Sequence, residues 1–220
     1  MSVYRHLPKI WANHFFDTGE LLLTTLPKCR EHEEESRRDG TDGKLSFAIL
    51  DGQQIMAGLS IAGKSSYLLC TSCSCAEPIQ QRFGTDSWIE IIDVQGFAQA
   101  VCRAVGSDTR PMFVPCRYLV DKSVTINAAS PIADDFAEMC EAVTTGKTEN
   151  IKQLFYETNA RLRARAEAFE HDVYFLKPAD PYQIEEEFRF VWTVDAAVSG
   201  PKVFDCSEAR QFCQPARLAG

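Results

Sequence analysis

An α+β fold with one largely antiparallel core is predicted by three features of the sequence. Apolar runs of strand length are mixed with helical stripes, without the regular β-α-β alternation that signals a parallel sheet. The 220 residues are 45% hydrophobic and 25% charged, a composition that supplies a real core and excludes global disorder. No repeat, low-complexity stretch or linker divides the chain, and at ~150 residues per domain a single domain over 1–220 is expected.

The elements follow in order. Pro8 suits the first turn of a helix in which Ile10, Trp11, His14 and Phe15 share a face, and Gly19 closes it. Glu20–Thr25 reads as a strand. The charged run Arg30–Gly43 reads as a solvated loop or short helix closed by Gly40 and Gly43. Leu45–Leu50, Tyr67–Thr71, Trp88–Ile92 and Met112–Val120 are apolar runs of strand type. Between the last two, Asp93 caps a helix with Phe97, Val101 and Val105 at four-residue spacing, ended by Gly106. Two helices follow, Asp134–Val143 and a long one from Asn150 to about Phe169 with Arg161, Arg163 and Arg165 on its flanks. Val173–Leu176 and Glu185–Val194 complete the strands.

Charge and cysteine usage exclude whole classes. Thirty-one acidic against 23 basic residues leave a net charge of −8, the wrong sign for non-specific clamping of nucleic acid. No run reaches the ~18 apolar residues of a membrane span, and Met1–Arg5 leads into Leu7-Pro8-Lys9 rather than an apolar signal segment. The nine cysteines are odd in number and too few for a disulfide scaffold, so a cytoplasmic protein with reduced thiols is expected. Cys70, Cys73 and Cys75 lack the fourth ligand of a structural zinc site, the four histidines are scattered, and no metal is expected. Glycine-rich phosphate loops and the nucleophile elbow are absent.

The densest chemistry lies in Tyr182–Trp192. On a strand, Phe188, Phe190, Trp192 and Val194 face one way; Glu185, Glu187, Arg189 and Val191 face the other. Two carboxylates and a guanidinium then line one face. That pattern is either an edge strand protected by charge or an acidic site held by a neighbouring arginine. A carboxylate pair could stabilise an oxocarbenium ion as a glycosidic bond breaks. Arg5 could hold a phosphate bidentately, and the hydroxyls of Thr24 and Thr25, at a strand end, could bond a ribose.

Four segments together resemble an uncharacterised bacterial family grouped with the ADP-ribosyltransferase-like folds. They are Tyr4-Arg5-His6; Phe15–Thr25 with the charged loop through Arg38, Asp39, Asp42 and Gly43; Leu69–Ser72 leading to Phe83-Gly84 and Trp88–Ile92; and Lys177-Pro178 followed by Tyr182, Glu185, Glu187 and Arg189. The order of the pieces carries the likeness. It implies two small, mostly antiparallel sheets forming a split cleft, flanked by helices, that binds NAD as a substrate. In transferases of the Arg–Ser/Thr–Glu type an arginine on the first strand holds the dinucleotide phosphates, a hydroxyl supports the ribose and a late glutamate stabilises the oxocarbenium ion. These roles map onto Arg5, Thr24 or Thr25, and Glu187, with Glu185 orienting the acceptor or acting as its base, and with Arg189 on the cofactor side. Threonine stands where the commoner pattern has serine, and the spacing from Arg5 to Thr24 is short. The resemblance implies transfer of ADP-ribose to a protein or to RNA or DNA, in the setting of a toxin or antiphage effector with a neutralising partner. A non-catalytic nucleotide- or partner-binding module and a carboxylate-based hydrolase are the alternatives.

Overall fold

The computed structural model describes residues 1–31, 39–51, 54–61, 63–108, 110–120, 123–127, 141, 144–145 and 173–216. The chain has a mixed α/β fold with antiparallel sheets and few helices among the described residues. Its contacts divide it into two compact units: Met1–Gly43, Gly63–Val120 and Phe175–Gly220 in the first, Lys44–Ala62 and Asp121–Tyr174 in the second. Of the two expected helices, 134–143 lies outside the described residues except for Glu141, and 150–169, with Arg161, Arg163 and Arg165, lies wholly outside them.

The first unit is built on β1 (Val3–Leu7), β5 (Ser66–Ser72), β6 (Ser87–Ile91), β7 (Met112–Pro115), β11 (Glu187–Thr193) and β13 (Cys213–Pro215). They form one six-stranded sheet in the order β13-β6-β1-β5-β11-β7, every neighbouring pair antiparallel. Two short pairs accompany it. β2 (Glu20–Leu23) runs antiparallel to β12 (Lys202–Asp205), and β8 (Arg117–Leu119) runs parallel to β10 (Leu176–Pro178). In the second unit, β3 (Lys44–Asp51) and β4 (Gln54–Ile61) make a hairpin, and β9 (Ser123–Asn127) runs parallel to β3.

Helix α1 (Lys9–Thr18) ends where Gly19 adopts φ +83°, a left-handed cap that favours glycine. A Cβ there would also lie 2.6 Å from Ser207. Its buried residues are Ala12 and Phe15, whereas Ile10 and Trp11 are exposed. Only part of the face read from the sequence is buried: Phe15 turns inward together with Ala12, whereas Trp11 packs edge-on against His14 at the surface. Helix α4 (Val94–Val105) matches its sequence signals. The Asp93 side chain accepts from Gly96 N, and Gly106 closes the helix at φ +71°. Two further helices are short, α2 (Leu26–Arg30) and α3 (Glu77–Phe83), each with a proline in its first turn.

The core gathers on one face of the six-stranded sheet. Phe188, Phe190 and Trp192 project from β11 towards α4, where Phe97 meets Phe190 edge-on at 5.3 Å and the Trp192 indole N–H donates to Ala98 O at 2.9 Å. Phe190 and Trp192 stack at 5.7 Å with an interplanar angle of 4°. Strand β11 lies between β5 and β7 and is buried along nearly its whole length. It is a central strand, so edge protection does not account for its charges.

Candidate functional site

Alternation on β11 places Glu187 and Arg189 on the face opposite Phe188 and Phe190. Register extends that face sideways: Glu187 stands across from Ser72, which also pairs with Tyr4, and Arg189 stands across from Cys70. Glu187 and Arg189 are both buried. A buried charge requires partners, and these are supplied from distant parts of the chain.

The Arg189 guanidinium donates through Nε to Glu187 Oε1 at 2.8 Å, through Nη1 to Asp42 Oδ1 at 2.8 Å and through Nη2 to Asp42 Oδ2 at 3.2 Å. The Asp42 contact is a two-pronged fork of the kind that suits arginine rather than lysine. Lys177 Nζ donates to Glu187 Oε2 at 2.7 Å and to Glu185 Oε2 at 2.9 Å. Arg82, from α3, donates through Nε to Glu185 Oε1 at 2.9 Å. Asp42, Glu187 and Glu185 thus alternate with Arg189, Lys177 and Arg82 in one continuous chain of ion pairs, three charges of each sign.

Aromatic rings and backbone complete the site. The Tyr182 ring lies 4.6 Å from Lys177 Nζ and 5.7 Å from the Arg82 guanidinium carbon. The Glu187 backbone N–H donates to the Tyr118 hydroxyl at 2.7 Å. Glu186 adopts φ +43° between a 3₁₀ turn at Gln183–Glu185 and β11. This kink turns Glu186 outward, while Glu185 and Glu187 both point inward to Lys177.

The electrostatics follow from these contacts. Burial would push the Glu187 carboxyl up, but the Arg189 and Lys177 charges and their hydrogen bonds outweigh it and hold the group well below the usual carboxylate range. Burial opposes the charge on Lys177 as well, and Glu187, Glu185 and Asp42 reverse the effect, so its ammonium is strongly retained. Arg189 behaves alike, with Asp42 and Glu187 overcoming burial. Burial raises the Tyr118 and Tyr182 phenols. At neutral pH, Glu187 is therefore a fixed negative charge and not a proton carrier.

Of the residues read from the sequence, the structure brings together Glu185, Glu187 and Arg189. Glu185 arrives by a different route, from the 3₁₀ turn rather than as the first residue of the strand. Arg5 stands on β1 across from Ile89, on the Val3 side of the strand, and donates through Nη1 to Cys70 O at 2.7 Å. Strand β2 ends at Leu23. Thr24 pairs with Leu68 through two backbone hydrogen bonds of 2.9 Å, and buried Thr25 caps α2 by accepting from Lys28 N. The loop read as solvated contains Asp39 and Asp42, both buried, and Asp42 is the second partner of Arg189.

Lys177, Asp42 and Arg82 carried no role in the sequence reading. Lys177 is the least expected, because a lysine on a short strand before a proline has no local pattern that predicts burial. The one available signal was stoichiometric: two inward glutamates and a single arginine leave a buried negative charge that needs another cation.

Among the described residues, no group of three or more His, Cys, Asp or Glu side chains could hold a metal ion. No helix among them is long and apolar enough to cross a membrane. A shallow cavity of about 380 Å³, lined by residues including Ile92, Asp93, Phe113 and Phe188, opens on the other face of the sheet. No family model, curated protein or solved structure matches the chain.

Proposed function

We propose that this protein is an NAD-dependent ADP-ribosyltransferase acting on a macromolecular acceptor, with Glu187 as its anionic centre. The observation that carries the reading is the ionised, buried Glu187 on a central strand, held by Arg189 and Lys177. Burying ions costs several kcal/mol each, and apolar residues would stabilise a sheet at least as well. A cluster of this kind is a candidate for function.

The chemistry matches a fixed negative charge. When the bond between nicotinamide and ribose breaks, its electron pair leaves with nicotinamide and positive charge develops on the ribose. A preorganised carboxylate in a dry site stabilises that charge far more than it would in water. The acceptor nucleophile then bonds to the ribose carbon and gives up its proton, a role this reading gives to Glu185, which shares Lys177 with Glu187. A two-carboxylate hydrolase instead needs one carboxylic acid protonated near neutrality beside an ionised partner; Glu187, held ionised, fits only the partner's role. The finer architecture, a split cleft between two sheets in a cytoplasmic effector with a neutralising partner, belongs to the same reading.

A second reading is favoured by one observation. Both Glu187 oxygens are already engaged and the side chain is buried, so substrate must displace the Lys177 side chain to reach it. If Lys177 does not move, the network is a scaffold for a non-catalytic binding module.

The experiment is transfer of label from NAD, labelled on the adenylate phosphate, into cell lysate with and without nuclease. Nuclease-resistant labelling lost in Glu187→Gln identifies a protein acceptor, and nuclease-sensitive labelling a nucleic acid. No labelling in either arm favours the binding module.

A further inference from the structure

The ion network occupies the buried end of a sheet face whose other end reaches solvent. Residues directly opposite one another on antiparallel strands share a face, and register carries that face outward from Glu187. Glu187 stands across from Ser72, Ser72 from Tyr4 and Tyr4 from Glu90, one row over β11, β5, β1 and β6. Glu187 and Ser72 are buried, whereas Tyr4 and Glu90 are part-exposed. In the next row His6 stands across from Trp88, whose side chain is also part-exposed. The alternate residues of the same strands, Val3, Ile89 and Ile91, go into the core on the opposite face.

Three groups on this outer half are unused. Among the described residues, no hydrogen bond or ion pair engages the Tyr4 hydroxyl, the Trp88 indole N–H or the Glu90 carboxylate. Diagonal positions across an antiparallel pair are about 7–8 Å apart, so Tyr4 and Trp88 can share one ligand, with Glu90 beside both. His6 adds no competing charge. Its Nε2 donates to Ser74 O at 3.0 Å, its buried Nδ1 has no partner, and burial lowers its pKa, so the imidazole is neutral at pH 7.

A carboxylate beside two aromatic rings suits a cation. It suits a guanidinium best, because that group stacks on aromatic faces and meets a carboxylate with two parallel N–H donors. The same carboxylate, on a chain of net charge −8, repels phosphate.

We propose that the face formed by Tyr4, Trp88 and Glu90 is a docking site for an arginine side chain of a protein partner. Three strand spacings, about 14 Å in all, separate Glu90 from Glu187, so an arginine held here is a recognition contact and not the group that reacts. That the partner is the acceptor rests on the transferase reading above; the row through Ser72 then leads from the docked arginine to the anionic centre. Docking itself needs no NAD.

The test follows the indole N–H signals of the full isotope-labelled chain by NMR as N-acetyl-arginine methylamide is added. NAD is absent, so the outcome is independent of whether the chain transfers ADP-ribose. Trp88→Phe identifies the Trp88 signal. The expected result is saturable movement of that signal while those of Trp11 and Trp192 stay in place, and no movement with the uncharged citrulline analogue. Glu90→Gln should weaken binding about tenfold or more, the worth of a charge-assisted contact. Asp195→Asn, which removes an exposed acid elsewhere in the first unit, should leave it unchanged. No movement of the Trp88 signal, an equal response to citrulline, equal weakening by Asp195→Asn, or movement caused instead by a single-stranded oligonucleotide overturns the proposal. The wild-type comparison of arginine with citrulline decides the matter even if a variant fails to fold.

Discussion

The two faces of β11 are built by opposite rules. On one, Phe188, Phe190 and Trp192 pack against α4, where burial is stabilising, non-directional and tolerant of substitution by another apolar group of similar volume. On the other, Glu187 and Arg189 stand in a chain of paired charges whose worth depends on every member being present. One strand thus carries a forgiving face and an unforgiving one. The forgiving face explains why this chain folds; the unforgiving one is where a function would be placed.

That contrast can be broken most severely at Arg189. Arg189→Leu leaves Asp42 and Glu187 buried without their shared cation, and a loss of about 3–5 kcal/mol is expected. Urea unfolding followed by tryptophan fluorescence measures it, since Trp11, Trp88 and Trp192 all lie in the first unit. Adding Asp42→Asn to that variant removes one stranded charge and should recover about 1–2 kcal/mol. The same curve should show Phe190→Leu, on the forgiving face, losing only about 1–2 kcal/mol.

Acid sharpens the comparison further. Glu187 is lowered in the folded chain, so its contribution is fully present above the unfolded value of about 4.3 and is lost as pH falls towards the folded one. Stability measured from pH 6 downward should therefore fall, and Glu187→Gln should flatten that acid limb. The smallest effect belongs to the Arg103–Glu208 pair, 2.7 Å apart but with both side chains mostly exposed. Arg103→Ala should change stability by less than about 1 kcal/mol, which would show that ion pairs matter in this molecule through burial and not through number.

What the sequence made legible was local. Asp93 and Gly106 bracket α4 because cap and stop are properties of single residues. The period of two on β11 sorted Phe188 and Phe190 from Glu187 and Arg189 because side-chain direction follows from the strand itself. Glu185 reaches the same lysine as Glu187 by another route, because the left-handed Glu186 separates its 3₁₀ turn from β11, which begins two residues later than expected. Strand β4, helices α2 and α3 and the β12–β13 region were not read, being short or interrupted by glycine and proline. The contacts that define the site were illegible for a different reason. Asp42 lies 147 residues from Arg189 and Arg82 lies 103 from Glu185, and no local pattern encodes such pairings. Composition supplied the acids and bases; only the sheet order decides which meet.

The most direct test of the central claim, that Glu187 is an anionic centre for breaking a glycosidic bond, is nicotinamide release from NAD by the purified chain. It is measured beside Glu187→Gln at a temperature where both retain the native circular dichroism spectrum. Release by the wild type is expected, with a fall of about a hundredfold or more in the variant, the scale on which a preorganised charge acts. Wild-type release no faster than uncatalysed hydrolysis, or equal release by both proteins, would contradict that claim.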